Sequence, residues 1–156
     1  MARKLDDINR KILTLLQKDG RMKRQDVAKE VGLSTPAVSE RMNKLLERGI
    51  IERYTAVVNP EAVNKGITAY ITMGIENGTV SKDLEKKVAN TADILESHVI
   101  TGVASHLLKV RVSSISSLND LINEIKSWKS VNSVESNVVL STMKETNILD
   151  TESTED

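Results

Sequence analysis

The sequence predicts an α+β protein in two parts: an N-terminal winged helix-turn-helix over residues 1–58 and a C-terminal ferredoxin-like βαββαβ domain over residues 67–143. Three observations carry this. Residues 23–48, KRQDVAKEVGLSTPAVSERMNKLLER, place a short amphipathic helix, a glycine, a polar turn and a longer helix in succession. That is the helix-turn-helix pattern, whose second helix enters the DNA major groove. Residues 67–75, ITAYITMGI, alternate apolar and polar as a half-buried strand does. Finally, the formal net charge of zero hides a division: residues 1–58 hold 13 Lys+Arg against 8 Asp+Glu, and residues 59–156 hold 9 against 14. A basic front half suits phosphates and an acidic back half does not.

The elements follow in order. Leu5, Ile8, Ile12, Leu15 and Leu16 recur at helical spacing and predict a first helix over 5–17. Gly20 suits the left-handed position that closes it. A second helix over 25–31 buries Val27, Ala28 and Val31. The third starts at Ser34 or Thr35, either able to cap it, with Pro36 in the first turn where a missing N–H loses nothing. Val38, Met42, Leu45 and Leu46 form its buried face, and Gly49 ends it. Residues 50–58, IIERYTAVV, are rich in β-branched side chains and predict one or two short strands, a wing. Asn59-Pro60 is a turn signal, and residues 59–66 read as a linker.

In the second half, the strand over 67–75 is broken by Asn77-Gly78. A helix over 81–91 turns Leu84 and Val88 inward. Strands follow over 97–101 and 106–112, joined by a loop at 102–105. Ser116 or Ser117 caps a helix carrying Leu118, Leu121, Ile122, Ile125 and Trp128 inward, and a last strand runs over 134–143. Two helices cover one face of the resulting sheet. The other shows Thr68, Tyr70 and Thr72, uncharged groups suited to a partner subunit. Residues 144–156 are acidic and polar and read as a disordered tail.

Composition excludes several classes. There is no cysteine, hence no disulfide framework and no thiolate metal site. No apolar run approaches the ~20 residues of a membrane span, and the start, MARKLDD, lacks a signal-peptide core; the expectation is a cytoplasmic protein with no membrane partner. Tyr54, Tyr70 and Trp128 are the whole aromatic complement, too few for base stacking on single strands, so duplex DNA is the expected partner. His98 and His106 lack a cysteine or carboxylate at ligand spacing, so no metal is expected. Without a nucleophile elbow, phosphate loop, HExxH or paired buried carboxylates, no catalytic residue, cofactor or enzymatic activity is expected.

The runs Leu5-Asp6-Asp7-Ile8-Asn9-Arg10-Lys11-Ile12-Leu13, Asp19-Gly20-Arg21, Val27-Ala28, Gly32-Leu33-Ser34, Val38-Ser39-Glu40-Arg41-Met42, Leu45 and Gly49-Ile50-Ile51 together resemble the leucine- and asparagine-responsive regulators, the Lrp/AsnC family. Ile94-Leu95-Glu96-Ser97-His98-Val99-Ile100-Thr101-Gly102 looks like the second strand of that family's effector domain, of RAM or ACT type. The resemblance covers residues 5–143. It implies transcriptional regulation by a protein that dimerises and assembles further, up to an octamer, sometimes under the control of an amino acid. One departure stands out. Members that bind amino acids carry a loop of the form Gly-Asp-Tyr-Asp, where this chain has Gly102-Val103-Ala104-Ser105. A carboxylate at Ser105 would suit an α-ammonium group; a hydroxyl is only a neutral acceptor. This counts against free amino-acid sensing.

With Val38, Met42, Leu45 and Leu46 inward, Thr35, Pro36, Ser39, Glu40 and Asn43 are the candidates for base contact. Glu40 would accept from cytosine N4, Asn43 would pair with adenine and Pro36 would meet a thymine methyl. Arg24, Ser34, Arg41, Lys44 and Arg53 are the candidate phosphate contacts. Glu40 and Lys44 can instead pair with each other, and Arg41 can be structural. For an effector, the candidates are Thr101, Gly102, Ser105 and His106 in the middle loop, with Ser136 on the last strand; alternatively Gly102 only permits a turn and His106 is a surface residue. Specific binding would need a dimer on a pseudo-palindromic operator. The rival readings are a DNA-packaging protein of low specificity and a non-catalytic regulatory adaptor.

Overall fold

Three helices make the first unit because each carries an apolar stripe that only the others can cover. The computed structural model describes residues 5–76 and 81–151, and the chain divides into one unit of Met1–Val57 with Lys144–Asp156 and a second of Val58–Met143. Helix α1 is Asp7–Lys18, α2 is Arg24–Val31 and α3 is Thr35–Glu47. Ile12, Leu13, Leu16, Val27, Ala28, Val38, Met42 and Leu45 form their common core, each larger side chain contributing about 1.5–3 kcal/mol by leaving water. Asp6 caps α1, its carboxylate accepting from the Asn9 N–H at 2.7 Å. Gly32 closes α2 at φ 71°, ψ 34°, a left-handed conformation that a residue without Cβ adopts freely. The chain thereby reverses within two residues and delivers Ser34 to the start of α3.

Four expectations are corrected in this unit. Gly20 is not left-handed: α1 closes on Asp19, whose carboxylate accepts from the Arg21 N–H, so the turn needs no positive φ. Leu46 is 36% exposed, because it sits about 80° around the helix from Val38, at the edge of the apolar stripe. Leu13, left outside the expected stripe, is buried. Residues 51–58 form no strand. Their amides and carbonyls find no ladder within the unit, and Val57 is 92% exposed.

The tail also differs from expectation. Residues 144–151 carry no helix or strand, yet the Gln17 side chain donates to the Leu149 carbonyl at 3.0 Å and accepts from its N–H at 2.7 Å. The Asn77-Gly78 turn and residues 152–156 lie outside the described residues.

The second unit begins with what had been read as a linker. Asn59 accepts from the Glu61 N–H at 3.0 Å, Glu61–Val63 makes a single 3₁₀ turn, and the Lys65 ammonium pairs with Asp93. Strands β1 (Ile67–Ile75), β2 (Ile94–Val99), β3 (His106–Val112) and β4 (Val131–Val138) form an antiparallel sheet in the order β2-β3-β1-β4. Helices α4 (Lys82–Asn90) and α5 (Ile115–Lys126) pack Leu84, Leu118, Leu121 and Ile125, followed by Trp128, on Ala69, Ile71, Met73, Ile75, Leu108, Val110 and Val112. This is the split βαβ arrangement the alternation predicts.

Ends of elements shift. α5 is capped by Ser114, whose hydroxyl accepts from the Ser117 N–H at 3.0 Å. Four serines crowd this start, and spacing alone does not choose among them. β2 starts at Ile94 instead of 97, and β4 runs 131–138 instead of 134–143. The open face is more charged than β1 alone suggests. Register places Tyr70 between Lys109 and Asn137, and Thr72 between Leu107 and Glu135.

Candidate DNA interface and effector loop

Helix α3 is presented by its cap. The Ser34 hydroxyl accepts from the Ala37 N–H at 3.4 Å and Pro36 occupies the first turn, leaving Thr35 and Pro36 exposed at the helix's positive end. The cap uses a lone pair of the Ser34 oxygen and leaves its O–H free to donate. Ser39, half-buried, receives the Arg24 guanidinium at 3.4 Å, which joins the starts of α2 and α3. Glu40 and Lys44 pair with each other at 2.5 Å. The Lys44 ammonium holds the exposed Glu40 carboxyl below its ordinary pKa. Asn43 is exposed, one turn along from Ser39, and makes no side-chain hydrogen bond among the described residues.

Arg41 points elsewhere. It donates to Asp6 at 2.7 Å and to Asn9 Oδ1 at 3.0 Å, and this hydrogen bond, with that from the Asn9 backbone, lowers the Asp6 pKa. Asp6 and Asn9 were not among the residues singled out for function. A cleft of about 330 Å³ lies beside the clamp, lined by Asp6, Asn9, Glu40, Arg41, Lys44 and Arg48 among others. Arg53 is exposed on the irregular segment after α3. Next to it in sequence, Tyr54 lies close to Gly20, and burial raises its phenol pKa against the opposing influence of Arg24.

In the second unit the effector candidates separate. Thr101 and Gly102 are exposed, with Gly102 at φ 126°. Ser105 is turned inward: its hydroxyl donates to the Met73 carbonyl at 3.2 Å and lies 2.9 Å from His106 Nδ1. His106 is 4% exposed rather than a surface residue, and burial lowers its pKa. Since Ser105 spends its proton on Met73, His106 Nδ1 is the donor in the pair. Nε2 is then a buried acceptor without a hydrogen-bond partner among the described residues. Ser136, on β4, pairs with Ile71 of β1, whereas His106 pairs with Met73 from the other side of β1. A whole strand intervenes, so the fold does not bring Ser136 to the loop.

A family model for winged helix-turn-helix DNA-binding matches residues 5–52, and one for the Lrp/AsnC ligand-binding domain matches residues 68–149. The chain belongs to the Lrp/AsnC family. Its relatives include the HTH-type transcriptional regulator FL11 of Pyrococcus furiosus, 34% identical over 91% of this chain and 93% of that one. The leucine-responsive regulatory protein of Escherichia coli K12 is 33% identical over 93% and 90%. Among solved structures, a transcriptional regulator of Neisseria meningitidis complexed with L-methionine superposes with a TM-score of 0.87 at 28% identity, covering 94% of this chain and 96% of that one. The feast or famine regulatory protein of M. tuberculosis, also complexed with L-methionine, gives 0.86 at 29%, covering 94% and 99%. This Lrp/AsnC chain is thus a sequence-specific DNA-binding transcriptional regulator, and duplex DNA is its partner. Among the described residues no helix is long and apolar enough to cross a membrane.

Proposed function

We propose that this regulator acts in the cytoplasm, without catalysis, as a homodimer or a larger assembly up to an octamer that offers paired copies of α3 to a pseudo-palindromic operator. The observation that carries the reading is the exposed edge of α3. Among the described residues, the side chains of Thr35, Pro36 and Asn43 make no hydrogen bond, and the start of their helix is fixed by the Ser34 cap. These three are the primary base readers. Ser39 and Glu40 join them only if Arg24 and Lys44 release them to the DNA. Arg24, Lys44 and Arg53 then meet phosphate, with Arg41 serving the fold instead. A single short helix reads too few base pairs for specificity, so two half-sites a whole helical turn apart are required. The open sheet face around Tyr70 and Thr72 supports self-association.

Selection of bound duplexes from a random pool tests this. The expected consensus has two-fold symmetry; a single asymmetric half-site overturns the dimeric reading. Loss of preference over random competitor would instead indicate a packaging protein, and no binding in dilute buffer an adaptor.

The amino-acid response is proposed to be absent in its carboxylate-dependent form. The inward Ser105 hydroxyl and the neutral His106 offer an α-ammonium group no anion. Titration with L-methionine, the ligand of the two complexed neighbours, is expected to leave DNA affinity unchanged; a shift in affinity overturns this.

A further inference from the structure

The base-reading edge of α3 carries cations on both of its flanks. At about 100° per residue, Ser39 and Lys44 lie about 140° apart around the helix, with Pro36, Glu40 and Asn43 between them. The Ser39 flank holds Arg24, whose guanidinium donates to the Ser39 hydroxyl at 3.4 Å. The Lys44 flank turns toward the start of α1, and there Arg41, Lys44 and Arg48 follow one another at spacings of three and four residues. A helix seated in the major groove has a phosphate backbone on either side of it. Two cationic flanks match two phosphate walls.

The Lys44 flank is hollow, for the cleft of about 330 Å³ between α3 and the start of α1 lies on it. Its polar groups can be accounted for one by one. Asp6 holds Arg41 and Glu40 holds Lys44, so neither carboxylate is left to receive a further cation. Asn9 accepts from Arg41 through Oδ1 at 3.0 Å. A guanidinium only donates, so this bond fixes which way the amide faces: the oxygen is turned to Arg41 and the NH₂ is left to donate. That NH₂ makes no hydrogen bond among the described residues. Arg48, exposed at the C-terminal cap of α3, makes no ion pair or side-chain hydrogen bond among them either. What the cleft has to spare is therefore donors, an amide and a guanidinium, with the Lys44 ammonium beside them. This set suits an anion rich in acceptor oxygens and offers an ammonium group nothing. The space is near the lower end of the roughly 300–1,000 Å³ of small-molecule pockets, enough for one small group.

We infer that this cleft seats one phosphodiester of the duplex, with Asn9 donating from α1, Arg48 pairing from the far end of α3, and Lys44 turning from Glu40 to the same phosphate. Resting on the reading of α3 as the recognition helix, the site adds two contacts, Asn9 and Arg48, that the sequence did not single out. Arg41 stays on Asp6 and acts as a positioning residue, since it aims the Asn9 amide. The transfer of Lys44 also frees the Glu40 carboxylate at the reading edge. Seating the phosphate and reading a cytosine N4 are thereby coupled, the second becoming available once the first is made.

The test uses the full-length chain, a random-sequence duplex and the duplex that the parent selects, at about 50 and 200 mM salt. Three variants make the same change in net charge: Arg48→Ala, Asn9→Asp and Lys11→Ala, the last exposed on the face of α1 turned away from Asn9. Arg48→Ala is expected to weaken both duplexes about tenfold at the lower salt and about threefold at the higher, the difference that one lost counterion makes. Arg48→Lys, which keeps the charge, is expected to restore the salt slope. Asn9→Asp keeps an acceptor for Arg41 but sets a carboxylate against the phosphate. A loss of about fivefold or more at the lower salt is expected, with a urea midpoint no lower than the parent's. Lys11→Ala is expected to cost less than about twofold. Single neutral methylphosphonates placed along the selected duplex locate the contact: the parent is expected to lose affinity at one position in each half-site, and Arg48→Ala to be indifferent there. Equal losses for Arg48→Ala and Lys11→Ala overturn the inference, since charge then acts at large. So does an Arg48→Ala protein that responds to every methylphosphonate as the parent does. Unchanged DNA binding by Arg48→Ala, with loss of thermal protection by inorganic phosphate, makes the cleft a site for a free anion and overturns it as well. A parent that binds no duplex ends the reading of α3 itself, and the phosphate seat with it.

Discussion

Arg41 of the recognition helix donates to Asp6, the residue that caps α1, at 2.7 Å. One carboxylate thus fixes two things: it satisfies the Asn9 N–H at the start of α1 and anchors the guanidinium that sets how α3 lies against that helix. Asn9 completes the clamp by accepting from the same guanidinium at 3.0 Å. Both side chains are partly exposed, 31% for Arg41 and 53% for Asp6, so water screens the pair. Arg41→Ala is expected to destabilise the first unit by about 0.5–1 kcal/mol and Asp6→Ala, which also loses the cap, by about 1–2 kcal/mol, with a non-additive double variant. The pH dependence has a definite sign. The Asp6 pKa is lowered in the folded chain from its ordinary 3.8, so the stabilisation is full above that value and is lost as pH falls through the lowered one. Urea melts of the parent and Asp6→Asn are expected to differ at about pH 6 and to converge only as pH falls through the lowered value; a difference that persists once the carboxyl is protonated contradicts the clamp.

Reading bases and holding phosphates separate by salt dependence. Asn43 is uncommitted, so Asn43→Ala is expected to relax sequence preference by about 1–3 kcal/mol at one base pair while leaving the salt slope unchanged. Lys44→Ala is expected to weaken all duplexes alike and to reduce the slope by about one. Glu40 complicates Lys44, because in the free protein the two are paired. Glu40→Gln releases the ammonium, and tighter binding to random DNA is the expected result. Electrophoretic shifts at several salt concentrations, with specific and random competitors, measure all three.

His106 makes the second unit sensitive to mild acid. Burial lowers its pKa below the ordinary 6.5, so the folded form holds the neutral ring while the unfolded chain takes up a proton first. Stability is therefore full above about 6.5 and declines as pH falls through that value toward the folded pKa. His106→Leu removes the titration, and its melting temperature is expected to vary less than the parent's between about pH 7.5 and 5. Fluorescence of Trp128, buried in the core of the same unit, follows the transition. Parallel pH profiles for the two proteins count against the assignment.

The alternation of residues 67–75 was legible because a strand with one buried face must alternate; Ala69, Ile71, Met73 and Ile75 all reach the core. The helix-turn-helix was legible from Gly32 and the Ser34-Thr35-Pro36 start, where backbone geometry permits few residue types. The Arg41 anchor was not. Nothing in the spacing of Asp6, Asn9 and Arg41 brings them together, since they lie 35 and 32 positions apart and only the packing of α1 on α3 does so. Nor was the docking of the tail, whose polar composition resembles that of a free chain until a partner stripe for its backbone is in place. Residues 50–58 misled for the converse reason: β-branched composition favours a strand, but a strand also needs a neighbour.

Gly74 gives a last measure of what the sequence conceals. An alternating strand tolerates a glycine poorly unless a bulge or a close approach requires it, and here both occur. The pairing of β1 with β4 slips between Gly74 and Ile75, and a Cβ at Gly74 would collide with the side chains of Asn132 and Ser133. The absent side chain is therefore what lets β4 cross the end of β1 and begin at Val131. Gly74→Val is expected to destabilise the second unit by about 1–3 kcal/mol through overpacking. Because the collision is with two polar side chains at a sheet edge and not with backbone, Asn132→Ala with Ser133→Ala in the same chain is expected to restore most of the loss. Equilibrium urea unfolding followed by Trp128 fluorescence reads both steps. Failure of that rescue would place the strain in the backbone of the bulge instead of in the crowding of β4.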